Sequence, residues 1–297
     1  MLFAKKTPQK KREDFRKALK SGKLLAFPGT PTPYIALMIE QAGFDGVYIS
    51  GAGISNDLAL PDIGLTTLPE VVGRGRQIAS VTDLPTIVDI DTGFGEPMSA
   101  VRTIRELEAA GLAGCHLEDQ ENPKRCGHLD GKSIVPREQM LRKIRAAADG
   151  KTDPNFLVIA RTDARASEGL DQAIGRAKAY VDAGAEMIFP EALANEKEFE
   201  AFRKAISVPL LANMTEFGKS RLLSRKELES LGFNLVIYPQ TVFRIASKAV
   251  EEALAELKKT DDQTALVPRM QTRARLYEIL QYERYNEYDQ SLFNFKV

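Results

Sequence analysis

Short apolar or β-branched runs recur along the chain between longer amphipathic stretches. The runs are LLAFPGT from Leu24, GVYISG from Gly46, PTIVDIDTG from Pro85, AGCHLEDQ from Ala113, FLVIARTD from Phe156, MIFPEA from Met187, PLLANMTE from Pro209 and LVIYPQ from Leu235. Between them, ALMIEQAG, AVRTIRELEAAG, QMLRKIRAAAD, AIGRAKAYVDAG, EFEAFRKAI and ELESLG place apolar residues three and four apart with charge on the other face, as surface helices do. Gly43, Gly111, Gly184 and Gly232 each close a helix shortly before a strand, where a left-handed C-cap favours glycine. One strand-helix unit is therefore used repeatedly.

Eight such units with near-continuous apolar strands predict a (β/α)8 TIM barrel occupying residues 1–297 as a single domain. A parallel sheet needs both faces covered, and eight strands leave an interior that side chains fill. An open doubly wound sheet is the alternative. It would normally carry a glycine-rich phosphate turn after its first strand, and AFPGTPTP is not one. Past Tyr238, VFRIASKAVEEALAELKK and then RMQTRARLYEILQYERYNEY extend beyond the eight units. Their surplus Leu, Ile and Tyr need a cover, so helices from about residue 241 onward are expected to pack on a neighbouring subunit.

Charge and composition narrow the partners. The chain has 41 Lys and Arg against 41 Asp and Glu, so no basic field draws it to nucleic acid. Its two cysteines, Cys115 and Cys126, are too few for a disulfide framework and fit a reducing compartment. No apolar run approaches the roughly 18 residues of a membrane span, and the basic start runs into Glu13 and Asp14 rather than a signal-peptide core. A cytoplasmic protein without a membrane or nucleic-acid partner is expected.

In a barrel of this kind chemistry sits at the C-terminal strand ends, and these ends carry Asp89, Asp91, Glu118, Asp119, Arg161, Asp163, Glu191, Asn213 and Thr215. Asp89 and Asp91 are two apart, so on a strand both face the same side and can share a cation. An oxygen-only ligand set favours Mg²⁺ or Mn²⁺ over Zn²⁺; a capping or salt-bridged aspartate pair is the alternative. Cys115 lies in an apolar strand and is expected to be inert. Cys126, in NPKRCGHLDGKSI, is flanked by Lys124, Arg125 and His128, and cations favour thiolate over thiol, so it can exchange a proton near neutral pH. An exposed structural cysteine remains the other reading. His128 is a candidate for orienting the thiol or a substrate carboxylate, while His116 reads as a hydrogen-bonded core residue. Arg161, Arg244 and Arg273 are candidate carboxylate clamps.

Jointly, YISGAGIS, LALPDIGLTTL, VDIDTGFG, HLEDQENPKRCGHLDGKSIV, FLVIARTDA, EMIFPEA, LLANMTEFG, LVIYPQTVFR and MQTRARLYEILQYERYNEYDQSLF resemble the methylisocitrate lyase branch of the isocitrate lyase and phosphoenolpyruvate mutase superfamily. The resemblance runs in order over almost the whole chain. It implies a homotetramer of barrels with C-terminal helices swapped between subunits, and a Mg²⁺-dependent lyase that splits a small tricarboxylate. It also implies Mg²⁺ at Asp89 and Asp91, with Asp62 and Glu118 reaching it through water. The substrate would meet Ser50, Gly51 and Ala52 of the SGG-like turn, where alanine replaces the middle glycine, and Gly127, Arg161, Glu191, Asn213, Thr215, Arg244 and Arg273. Catalysis would rest on Cys126 as general acid, with Tyr48 as acceptor or relay for a hydroxyl proton, or simply as a packed aromatic, and on His128, Arg161 and Glu191. The glycine-flanked loop carrying Cys126 is expected to close over bound substrate. Rival activities within the superfamily are 2,3-dimethylmalate lyase and oxaloacetate hydrolase; a silent barrel used as a scaffold is the non-enzymatic rival.

Overall fold

The structure, a computed structural model, describes residues 4–125, 127 and 131–294. Among them are eight strands: β1 (Leu25–Pro28), β2 (Val47–Ile49), β3 (Thr86–Asp89), β4 (Gly114–Glu118), β5 (Leu157–Thr162), β6 (Met187–Pro190), β7 (Leu211–Asn213) and β8 (Leu235–Tyr238). They form two parallel ladders, β2-β3-β4-β5-β6 and β7-β8-β1. Single parallel bridges, Gly29 to Tyr48 and Ile188 to Leu210, join the ladders into a ring. Strands adjacent in sequence are adjacent in space, so the closed barrel holds and the open sheet falls away. Gly43, Gly111, Gly184 and Gly232 all have positive φ, between 77° and 114°, as their helix-ending role requires.

Strand alternation sorts side chains into two layers. Leu25, Phe27, Tyr48, Ile87, Ile159, Phe189 and Ile237 belong to one buried cluster that fills the barrel. Ala26, Val47, Val88, Cys115, Val158 and Val236 belong to another, which the surrounding helices share. Each large aliphatic buried this way contributes roughly 1.5–3 kcal/mol. The interior cluster is closed at the start of the strands by helix Pro8–Leu19, which sends in Phe15 and Leu19. Its start is set by Thr7, whose hydroxyl accepts from the Lys10 N–H, and by Pro8 in the first turn. Phe15 lies 5.3 Å from Phe27, ring centre to ring centre. Buried Arg12 donates to the Leu112 and Glu108 carbonyls at 2.8 and 2.6 Å and pairs with Asp153 at 2.9 Å. With that end plugged, the opposite end is the one that can admit a ligand.

Helix Thr241–Thr260 buries none of its residues, and Ile245, Val250 and Leu254 are exposed on it. The surplus apolar surface expected beyond the eight units is therefore present. Among the described residues no helix is long and apolar enough to cross a membrane.

Candidate active site

Period-two alternation also decides which strand-end polar residues can meet. Ile87 and Asp89, Ile159 and Arg161, Phe189 and Glu191, and Leu211 and Asn213 share a face, so the polar member of each pair continues the barrel interior toward its mouth. On β4 the same parity selects His116 and Glu118, which lie opposite Asp89 and Arg161 in the ladder. Asp119 has the other parity. It faces the helix layer, where it accepts from the Thr162 hydroxyl at 2.7 Å, the Asp163 N–H at 2.8 Å and the Tyr180 hydroxyl at 2.8 Å. Asp119 is thus a structural carboxylate, and Cys115, fully buried in the same layer with its thiol pushed far up by desolvation, is inert as expected.

The two aspartates of VDIDTGFG converge, but not as neighbours on one strand. The strand ends at Asp89, and Asp91 sits in the following turn with φ 46°. Its N–H donates to Asp89 Oδ1 at 2.9 Å, which folds the turn back over the first carboxylate. Gly51 closes on both: a Cβ there would lie 2.9 Å from Asp89 Oδ2 and 3.2 Å from Asp91 Oδ1, so a side chain would displace the carboxylates. Lys124 inserts its ammonium here, 2.8 Å from Asp91 Oδ1 and in contact with Asp62. Burial opposes charge on Asp89, but His116, Lys124, Arg161 and the Asp91 N–H outweigh it and hold that carboxyl below its ordinary value. Burial raises Asp91 to about 6, against Lys124 and with the help of Asp89. Glu118 is raised well above the carboxylate range, first by burial and then by Asp163 and Asp89, with Arg161 opposing.

This corner has more acidic oxygen than the chain satisfies. Both Glu118 oxygens are buried without a hydrogen-bond partner among the described residues, although Arg161 Nε approaches Oε2 to 3.1 Å, and Asp91 Oδ1 is met by the Lys124 ammonium at 2.8 Å. A hard divalent cation suits such a donor set. No three carboxylate, thiol or imidazole groups among the described residues converge to hold an ion unaided.

Beside it, Tyr48, Ser50, Ala52, Gly127, Arg161, Glu191, Asn213, Thr215 and Arg244 line one cavity of about 80 Å³, together with Asp62, Asp89 and Lys124. Arg161 is fixed by Asp163, 2.9 Å from Nε, and by the Phe189 ring 5.1 Å beneath it. Asn213 Nδ2 reaches Glu191 at 3.4 Å. Gly127 packs so closely on Arg161 and Glu191 that any side chain would collide with them. Lys132 donates to the Gly127 carbonyl and pairs with Asp163 at 2.6 Å, tying this loop to the strand end. Tyr48 lies 2.9 Å from His116 Nε2. Burial and the Asp89 charge keep its phenol protonated far above the usual range, while burial lowers His116 to about 4 and leaves it neutral.

Most of the expected substrate and metal residues therefore share one mouth. Arg273 does not: it is exposed at the start of helix Arg273–Leu280 and takes no part in lining the cavity. Cys126 and His128 lie outside the described residues. Two contributors escaped the sequence reading in these roles, Lys124 and Lys132. Both lie near the CGH motif, where Lys124 reads only as positive charge beside the thiol.

The family model described as phosphoenolpyruvate phosphomutase matches residues 15–258. Two Corynebacterium glutamicum proteins, named probable 2-methylisocitrate lyase 2 and 1, are 58% and 60% identical to this chain over 290 and 288 residues, covering 98% and 97% of it and 94% of each relative. Among solved structures, oxaloacetate acetylhydrolase in complex with 3,3-difluorooxalacetate superposes with a TM-score of 0.91 at 31% identity, covering 98% of this chain and 100% of the other. Phosphonopyruvate hydrolase in complex with oxalate and Mg²⁺ does so with a TM-score of 0.85 at 31% identity, covering 93% and 97%.

Proposed function

The chain belongs to the phosphoenolpyruvate phosphomutase family, and on that premise we propose that it is a carbon–carbon lyase cleaving 2-methylisocitrate to pyruvate and succinate. The observation that carries the reading is a cavity with two unlike walls. One is an acidic corner with unsatisfied buried oxygens; the other presents Arg161, Asn213, Thr215 and Arg244 to anions. A tricarboxylate that must hold charge at both ends of a breaking bond matches that division. The high identity to relatives named for this substrate favours it over oxaloacetate, whose hydrolase matches at about half that identity.

Asp89 and Asp91, with Asp62 and Glu118 beyond them, would hold a Mg²⁺ or Mn²⁺ ion, which would supply Lewis-acid stabilisation to oxygen that becomes negative in the reaction. The remaining work belongs to the side chains. Ser50, Gly51 and Ala52 seat the fragment that becomes pyruvate. Arg161, Asn213, Thr215 and Arg244 receive the carboxylates of the succinate half, and Glu191 keeps Asn213 in place. As the C2–C3 bond breaks, the C2 hydroxyl loses its proton and the bonding pair moves to C3, where the adjacent carboxylate delocalises it. Tyr48, kept protonated by burial, can take the hydroxyl proton only as a relay that releases its own to water in the same step, while neutral His116, 2.9 Å away, orients the phenol. Cys126 delivers the new C–H proton to C3, with His128 to orient the thiol or a substrate carboxylate.

The test is product formation with Mg²⁺ present. Pyruvate release from 2-methylisocitrate should exceed glyoxylate release from isocitrate, and acetate plus oxalate from oxaloacetate, by at least about tenfold in kcat/KM. A preference for 2,3-dimethylmalate or oxaloacetate would move the protein to another branch, and no turnover of any of the four would leave a scaffold. The same reading includes a cytoplasmic, helix-swapped homotetramer whose neighbouring subunit covers Ile245, Val250 and Leu254. Light scattering on the purified chain should give four times its 32.9 kDa mass. A monomer would remove the cover.

A further inference from the structure

Gln240 precedes helix Thr241–Thr260, and its side chain turns back into the barrel mouth. It is 4% exposed, and neither Nε2 nor Oε1 has a hydrogen-bond partner among the described residues. Its backbone is otherwise engaged: the carbonyl accepts from the Arg244 N–H at 2.8 Å and begins the helix. The side chain needs a reason to be polar, because a buried amide left unpaired at both ends is destabilising, and an apolar residue of similar volume would remove that cost.

Its surroundings supply the reason. Gln240 lines the same cavity as Ser50, Asn213, Thr215 and Arg244. Nε2 lies over the turn at Ser50, since a Cβ built on Gly53 would meet Ser50 Cβ at 3.4 Å and this nitrogen at 3.7 Å. Asn213 Oδ1, on the same wall, is likewise buried and unpartnered. The Gln240 amide, with its N–H still open, thus stands beside a guanidinium and two hydroxyls. A carboxylate is the group that such a set receives, and an amide can reach it without adding net charge.

We propose that Gln240 is a substrate-recognition residue whose side-chain N–H donates to a carboxylate oxygen of the bound acid, in the corner formed by Asn213, Thr215 and Arg244. The inference rests on the lyase reading for the identity of the substrate, but not for the chemistry of the contact. Its Oε1 then accepts a hydrogen bond from a water or hydroxyl beside that carboxylate. The residue touches the bound anion rather than the breaking bond, so its removal weakens binding more than chemistry.

Gln240→Leu should raise KM for 2-methylisocitrate about tenfold while kcat falls less than about threefold, the size expected for one hydrogen bond to a charged group. Gln240→Glu, which sets a carboxylate against a carboxylate, should raise KM further, to about a hundredfold. Thermal melting of the ligand-free Leu variant should occur at or above the wild-type temperature, because it sheds an unsatisfied amide. A side chain that served packing alone would lower the melting temperature and leave KM unchanged, which would overturn the proposal. So would a Leu variant whose tetramer dissociates with KM intact, since Gln240 also borders a groove lined by Phe243 and Ile245. Titrating succinate into wild-type and Leu proteins with Mg²⁺ separates this from the functional reading. Weaker succinate binding by the variant supports Gln240 even if 2-methylisocitrate proves not to be the substrate; equal binding sinks it.

Discussion

Replacing Asp91 by alanine is expected to lower kcat/KM by about a thousandfold or more and to weaken Mg²⁺ binding in parallel, by about 10–100-fold. Asp91 is held in a left-handed turn by its own N–H bond to Asp89, so its carboxylate has one direction to point, toward Gly51 and Lys124. Taking it away leaves Asp89 alone as a direct oxygen ligand and leaves the Lys124 ammonium with Asp62 as its remaining close partner. Asp91→Asn keeps the volume and the turn, so a matching loss there assigns the effect to charge rather than to packing. Asp119→Asn is the contrasting control. Its carboxylate serves Thr162, Tyr180 and the Asp163 backbone in the helix layer, so the change should lower stability without moving Mg²⁺ affinity. Full activity in excess chelator, or an Asp91 variant that binds Mg²⁺ normally by calorimetry, would count against the metal assignment.

The contrast between Asp91 and Asp119 also shows where reading the chain succeeds. The barrel was legible because its signal is periodic: eight apolar runs, each with a helix of period 3.6 behind it, leave few architectures open. Parity separates Glu118, Arg161, Glu191 and Asn213 from Asp119 and Cys115 once the strands are in place, whereas the sequence alone sets Asp119 among the strand-end candidates. What lies in turns does not obey parity. Asp91 reads as a strand residue because VDIDTGFG alternates, yet the strand stops two residues earlier and a positive φ delivers the carboxylate by another path. Lys124 and Lys132 carry no periodic mark at all; only the folded loop shows that one enters the acidic corner and the other holds the Gly127 carbonyl. Gln240 is invisible for a further reason, since an unsatisfied amide is a property of its surroundings rather than of its neighbours in sequence. Arg273, named by motif, lies exposed on its own chain, on a helix the sequence reading assigns to a neighbouring subunit.

Cys126→Ser is expected to reduce kcat by about 10²–10⁴-fold, the range associated with removing a general acid, while succinate binding changes by less than about threefold. Cys126 lies outside the described residues. Its neighbour Gly127 is pressed against Arg161 and Glu191 at the wall of the cavity. Lys132 holds the Gly127 carbonyl and the Asp163 carboxylate together, so that the loop is referenced to the same strand end that carries Arg161. A thiol is suited to the step because its pKa of about 8.5 lets it give a proton to carbon and recover one from water within a turnover. Serine's hydroxyl is far too weak an acid to do so, yet its volume and hydrogen bonding leave the anion contacts of Arg161, Asn213 and Arg244 in place. The variant therefore separates proton delivery from binding. In deuterated water, wild-type enzyme should place one deuterium at the former C3 of succinate, and residual turnover by the serine variant should show a larger solvent isotope effect on kcat. Near-normal kcat in the variant would remove the cysteine from the reaction and shift the search for the acid to Tyr48 and its His116 partner.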